Sequence, residues 1–327
     1  MAELPGEVRA VVAGRFPPPR GEGEGGGTVH AASPPPPSPP HEGEGRRSRL
    51  AGSKRPSTVR TLTYGALIFL SALFIAPFVW TLLTAVKSEA ELVTWPPVFW
   101  PEEWRWSNFP ESWAKQPFGT YLWNSTTVVV LSTIGQVFSS SLVAFGFARF
   151  RFPGRDPIFV LLLATMMIPW DVKMIPLYME FNWLGWINTL KPLIIPAWFG
   201  EAFFIFLLRQ YIMTVPMEID EAARMDGANA WQLYWRIHLP LMLPGLVLVG
   251  TFHFMNAWND YLGPLIFLND QTKYTLPLGL GLFQGRYDID NIAIAAITVI
   301  LCLPPLVLFF FVQRYIMDNA LGSSVKG

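Results

Sequence analysis

Cysteine is almost missing from this 327-residue chain. The one present, Cys302, lies in an apolar run, so no internal disulfide can form and the thiol reads as a small packing residue. Net charge is missing too: 24 Lys and Arg offset 24 Asp and Glu, and neutrality argues against nucleic acid as a partner. No GxxxxGK(S/T) phosphate loop, HExxH, GxSxG or Cys/His cluster occurs. Without them the chain cannot hydrolyse ATP by itself or hold a catalytic metal, so it reads as not an enzyme. GLGLFQG at 279–285 lacks the preceding strand and the spacing of a dinucleotide fingerprint, and no cofactor bound by this chain is expected. No apolar core of a cleavable signal peptide precedes the first long hydrophobic run.

What is abundant is apolar sequence, 51% of residues against 15% charged. That balance lies on the membrane side of globular averages. Residues 1–57 are the exception, a low-complexity stretch with GEGEGGG and SPPPPSPP that cannot bury enough apolar surface to offset its ordering entropy. A disordered Pro/Gly-rich cytoplasmic tail is expected there, with PxxP-like prolines as a possible ligand for a partner domain. Six apolar runs follow, at about 62–86, 122–147, 158–178, 193–208, 241–262 and 292–312. Each is close to the roughly 20 residues that cross a bilayer, so 58–327 reads as one six-span domain of an all-α membrane protein.

Arg46, Arg47, Arg49, Lys54, Arg55 and Arg60 precede the first run, and Arg149, Arg151, Arg155, Arg209, Arg224 and Arg236 fall in the second and fourth loops. Basic residues on that side outnumber those in the other loops two to one, which puts both termini in the cytoplasm. The first outer loop carries Trp95, Trp100, Trp104, Trp106 and Trp113. Two readings of it stand: anchoring in the aromatic belt at the bilayer surface, or contact with an external protein.

The longest polar interruption of the C-terminal half is Glu221–Pro240, EAARMDGANAWQLYWRIHLP. Pro216 suits a first helical turn, and Glu218, Asp220 and Glu221 place negative charge at the positive end of the helix dipole. Gly227 can take the left-handed conformation that ends a helix, and Asn229 with Gln232 resembles a capping box that starts another. Ile219, Ala222 and Ala223 share one flat apolar face. The spacing predicts a helix–turn–helix over 214–240 beside a membrane. By residues alone it suits either a docking element or an amphipathic helix lying on lipid.

Glu221-Ala222-Ala223, then three residues, Gly227, then nine, Ile237, one more, and Leu239-Pro240 resembles the EAA motif of the membrane permease subunits of binding-protein-dependent ABC importers. Phe206-Leu-Leu-Arg209-Gln210, Asp226-Gly227-Ala228 and Trp258-Asn259-Asp260 are similar to the carbohydrate-uptake branch, with the maltose and glycerol-phosphate permeases. The resemblance covers about 60–327. It implies the type I ABC importer permease fold, six transmembrane helices with a cytoplasmic helix–turn–helix coupling segment, in a bacterial or archaeal inner membrane. Implied partners are a second, similar permease subunit, two ATPase subunits that use the ATP, an extracytoplasmic solute-binding protein, a carbohydrate substrate and the lipid bilayer. Carried over by residue, Glu221 makes the polar contact with the ATPase, Ala222 and Ala223 the close approach, and Gly227 the turn. Asp226, Ile237, Leu239 and Pro240 complete the coupling set.

Polar residues inside spans are expensive and face a cavity or a partner helix. His253, Asn256, Trp258, Asn259 and Asp260 follow one another on the fifth run, with Asn256, Asn259 and Asp260 at i, i+3, i+4. They could line a sugar path or hold two permeases together by interhelical hydrogen bonds. Asp171 and Lys173, after Pro169-Trp170, admit the same two readings, gate or interface. A self-contained secondary transporter or channel is the alternative to the importer subunit; it calls for ionisable groups on several spans and repeat symmetry, neither of which is convincing here.

Overall fold

The computed structural model describes the backbone at residues 57–285 and 289–324, and side chains at 59–285 and 289–315. The expected tail at 1–57 lies, but for its last residue, outside the described residues. Two compact units divide at Tyr64 and Gly65. Of the first, the described part is the opening turns of helix α1 (Ser57–Ala85), where the Thr63 hydroxyl donates to Val59 O at 2.8 Å. All else belongs to the second.

There, the described residues are helical, without a strand. Short α2 (Glu89–Val93) and α3 (Asn108–Ala114) lead to α4 (Phe118–Arg149). A bent pair follows, α5 (Arg155–Met167) and α6 (Trp170–Trp183), then α7 (Lys191–Met213). Next come α8 (Met217–Met225), α9 (Ala230–Leu241) and α10 (Leu243–Trp258). Short α11 (Leu262–Phe267) and α12 (Leu276–Leu280) precede the last helix, α13 (Asn291–Ser324). Among the described residues four helices are long and apolar enough to cross a bilayer, or up to six crossings if each bent pair counts as one span.

The third and fifth runs are not straight spans. α5 and α6 meet at 99° and α9 and α10 at 75°. At the first bend Ile168 precedes Pro169, whose ring pushes it out of the helical region to ψ 111°.

α4 is the post of the bundle. Its 32 residues span about 48 Å, more than a hydrocarbon core, and 56% of its apolar window is buried, against 6% for α1. α7 and α10 pack on it. One core, at the Arg149 end of α4, holds Phe145, Phe204, Leu208, Leu233, Tyr234 and Val249; a second, at the other end, holds Phe118, Tyr121, Trp258, Leu276 and Ile297.

Small and polar residues let the post fit. α7 is interrupted at Gly200 (φ 78°), which frees backbone groups that nothing in hydrocarbon can satisfy. α4 supplies the partners: Ser139 Oγ lies 3.2 Å from Ala197 O, and the Gln136 amide, in its hydrogen-bonding orientation, donates to Ala197 O and accepts from Glu201 N at 2.8 Å. Gly135 lies under Trp198, where a Cβ would come within 2.4 Å of the indole.

At the other end the segment after α1 folds back onto that helix. Asn108 Nδ2 donates to Ala85 O and Lys87 O at 2.9 Å each, Arg105 N to Val86 O at 2.9 Å, and Lys87 Nζ to Val98 O. The amides of Ser88 and Glu102 hold the Glu91 carboxyl below the usual range. Trp95, Trp100, Trp104 and Trp106 stay exposed on this clasp.

Gly135→Ala should therefore cost about 1–3 kcal/mol through overpacking. The check is the unfolding temperature of the detergent-solubilised protein beside Gly65→Ala, where a Cβ meets nothing within 4 Å; equal temperatures would refute the close packing.

Candidate functional site

α8 and α9 close by local chemistry. Gly227 takes φ 83°, Ala228 N donates back to Ala223 O at 2.9 Å and Gly227 N to Arg224 O at 3.0 Å, a Schellman ending. Asn229 and Gln232 then exchange two bonds of 2.9 Å, each side chain accepting from the other's backbone N–H. In α9 the turn Leu233–His238 widens to a π-helix. Pro240, with no N–H to return, lies just beyond it.

The expected coupling residues divide by face. Glu221, Ala222, Asp226, Gly227 and Pro240 are exposed, Ile237 and Leu239 half-buried. Ala223 does not share the outer surface with Ala222: its side chain is 9% exposed and belongs to the core around Phe145 and Tyr234. A single residue step separates the two alanines' environments, because neighbours in a helix lie about 100° apart around the axis.

Beside Ala223, at i−3 on the inner face, the structure buries a carboxylate. Asp220 is 0% exposed. Its Oδ1 lies 2.8 Å from His238 Nε2 of α9, and its Oδ2 3.3 Å from Arg149 Nε, at the end of α4. Arg149 also donates Nη2 to Ile212 O (3.0 Å) and Val215 O (2.7 Å), and its Nη1 reaches Met217 Sδ at 2.7 Å. The guanidinium thus bonds carbonyls at and just beyond the end of α7 while pairing with Asp220 of α8. A further bond joins α9 to α4: the Ser141 hydroxyl is spent on Phe138 O, so Tyr234 donates to Ser141 Oγ, at 2.8 Å. Sequence reading missed this hub. It read Asp220 as a dipole charge beside Glu221 and gave Arg149 only a place among loop cations.

The polar set on the fifth run does not form one face. α10 ends at Trp258, so Asn259 is its cap and Asp260 lies beyond it. Trp258 is buried and donates Nε1 to Leu301 O of α13 at 3.0 Å, inside its own chain. Asp260 Oδ1 accepts from Gly263 N at 3.0 Å and starts α11. His253 packs edge-on against Phe204, and Asn256 is exposed. Asn259 alone of the five lines a cavity of about 730 Å³ with Met255, Tyr261, Gln284, Leu301 and Phe309. Asp171 and Lys173 are both exposed on α6.

Residues 136–321 match the family model described as binding-protein-dependent transport system inner membrane component. The chain is 32% identical over 261 residues to the diacetylchitobiose uptake system permease protein NgcG of Streptomyces coelicolor, covering 79% of this chain and 86% of that one. It is 35% identical over 210 residues to the arabinooligosaccharides transport system permease protein AraQ of Halalkalibacterium halodurans, 64% of this chain and 74% of the relative. Among solved structures, a chain of a bacterial ABC transporter involved in import of the acidic polysaccharide alginate superposes with a TM-score of 0.69 at 22% identity, over 80% of this chain and 98% of that one. That likeness concerns the fold.

Arg149→Met alone should destabilise the protein by about 3–5 kcal/mol, because it leaves the Asp220 charge buried without its cation. Thermal unfolding in detergent measures this, and a shift no larger than that of an exposed control, Arg236→Met, would contradict the buried ion pair.

Proposed function

Since the chain belongs to the family of inner-membrane components of binding-protein-dependent transport systems, we propose that it forms one half of a carbohydrate translocation path and receives its driving force through α8 and α9. The observation that carries this reading is the two-sided build of α8. Its inner face is fixed by Asp220 and Ala223, while Glu221, Ala222, Arg224, Met225 and Asp226 stand exposed with no element of the described chain over them. A face so firmly held from behind and so open in front suits docking of a separate, force-bearing subunit.

In this reading an ATPase subunit docks on that face, one for each of two permeases, and uses the ATP; this chain holds no cofactor. A second, similar permease completes the path, and an extracytoplasmic binding protein delivers the solute. The termini lie in the cytoplasm, on the side of α8, as the arginines at 149, 151, 155, 224 and 236 favour. The named cargoes of the relatives, diacetylchitobiose and arabinooligosaccharides, support an oligosaccharide as the transported class. Asn259, Tyr261 and Gln284 on the cavity wall offer the polar and aromatic groups a sugar needs.

The test is co-purification from gently solubilised native membranes, with wild type beside Glu221→Arg. An ATPase and a second permease are expected with the wild type, and the ATPase is expected to fall by about tenfold in the variant, about 1.4 kcal/mol of docking energy. Wild-type preparations free of any ATPase, under conditions that keep other importers whole, would overturn the reading.

A further inference from the structure

We propose that Arg149, Asp220 and His238 are positioning residues that make α4, α8 and α9 one rigid body, so that force applied to the outer face of α8 moves α4. This deepens the coupling reading above and rests on it. The bonds run between elements: Arg149 joins α4 to the α7–α8 connection and to Asp220, and Asp220 joins α8 to α9 through His238. The side chains of all three are at most 3% exposed, so water cannot replace a broken bond. Two guanidinium nitrogens of Arg149 make directional bonds, Nη1 to Met217 Sδ at the start of α8 and Nη2 to Ile212 O and Val215 O. These fix direction as well as distance, while Nε meets Asp220 Oδ2 as an ion pair at 3.3 Å.

Apolar packing could hold these helices together nearly as well, since buried ion pairs are costly to desolvate. It could not fix their register, because methyl contacts survive a slide that directional bonds do not. Met242 and Pro240 bend the chain immediately after His238, so slack in the hub would be taken up at the α9–α10 bend instead of reaching the bundle.

The experiment places spin labels at Glu218→Cys, exposed in the first turn of α8, and Trp123→Cys, 72% exposed near the far end of α4, in a Cys302→Ser background. The distance distribution is read by pulsed electron paramagnetic resonance in the complex purified with its ATPase, without nucleotide and with Mg-ATP and vanadate. In otherwise wild-type protein the distance should hold within about 2 Å across both states. Two variants are compared: His238→Phe, which keeps the Arg149–Asp220 pair, and the triple Arg149→Met, Asp220→Leu, His238→Phe, which leaves no buried charge and so preserves the fold.

Both should gain a population displaced by about 5 Å, one helical turn, on nucleotide addition. Distributions in both variants as narrow and as unmoved as in wild type would overturn the proposal, as would a wild-type distance that slips on nucleotide. If the triple variant does not accumulate, His238→Phe decides alone. A wild-type complex without any ATPase sinks the coupling reading instead, and the nucleotide-free widths then judge the hub by themselves.

Discussion

A carboxylate with no access to water has to find its cation inside the protein, and for Asp220 the cation is at the end of a different helix. That requirement orders the coupling end of the fold. Arg149 terminates α4, so α8 must cross under that terminus; His238 closes the second oxygen, so α9 must turn back beside α8. Once Asp220 and Ala223 are committed inward, helical geometry leaves Glu221, Ala222 and Arg224 no direction but outward. The exposed motif is the other side of a buried bond.

The second constraint is that of a bilayer, where every freed backbone group needs a partner within the protein. The chain meets it with α4. Gln136 and Ser139 serve the break at Gly200, while Asn124 Nδ2 donates to Thr272 O and Tyr274 O at 3.0 Å and Ser125 Oγ accepts from Leu276 N at 2.7 Å. These polar residues interrupt what would otherwise be a uniform apolar span. They are buried, whereas the apolar side chains of α1 are mostly exposed, the reverse of a soluble bundle.

What could be read in the sequence was what is decided locally. Gly227 ends a helix, Asn229 and Gln232 start the next, and these need only neighbours a few residues away. The run of apolar segments was equally plain. The hub was not, because Arg149 finds its acceptors 63 residues and more along the chain, and a pattern of one cation and one acid at such separation is everywhere in a sequence. Burial alone distinguishes Asp220 from Glu218 and Glu221, which look alike on paper. The face drawn through Asn256, Asn259 and Asp260 failed for another reason. Asn and Asp compete with the backbone for its own hydrogen bonds, and here Asp260 starts α11 at Gly263 where helical counting assumed that α10 continued.

The positions of Arg149 and Ser125 on one helix carry a mechanical consequence. They are separated by about 36 Å of continuous α4, with the charged hub at one end and the 272–276 loop bonded at the other. A helix packed on both sides along that length resists bending, since each flexure would open contacts with α7 and α10 that close packing makes costly. In the proposed coupling, a displacement entering at Asp220 would reach the far loop through covalent geometry and a handful of directional bonds. α1 adds little to this route, being bonded chiefly to the clasp at its own end. The result is one post tied at both ends, while α5–α6 and α9–α10 are bent pairs.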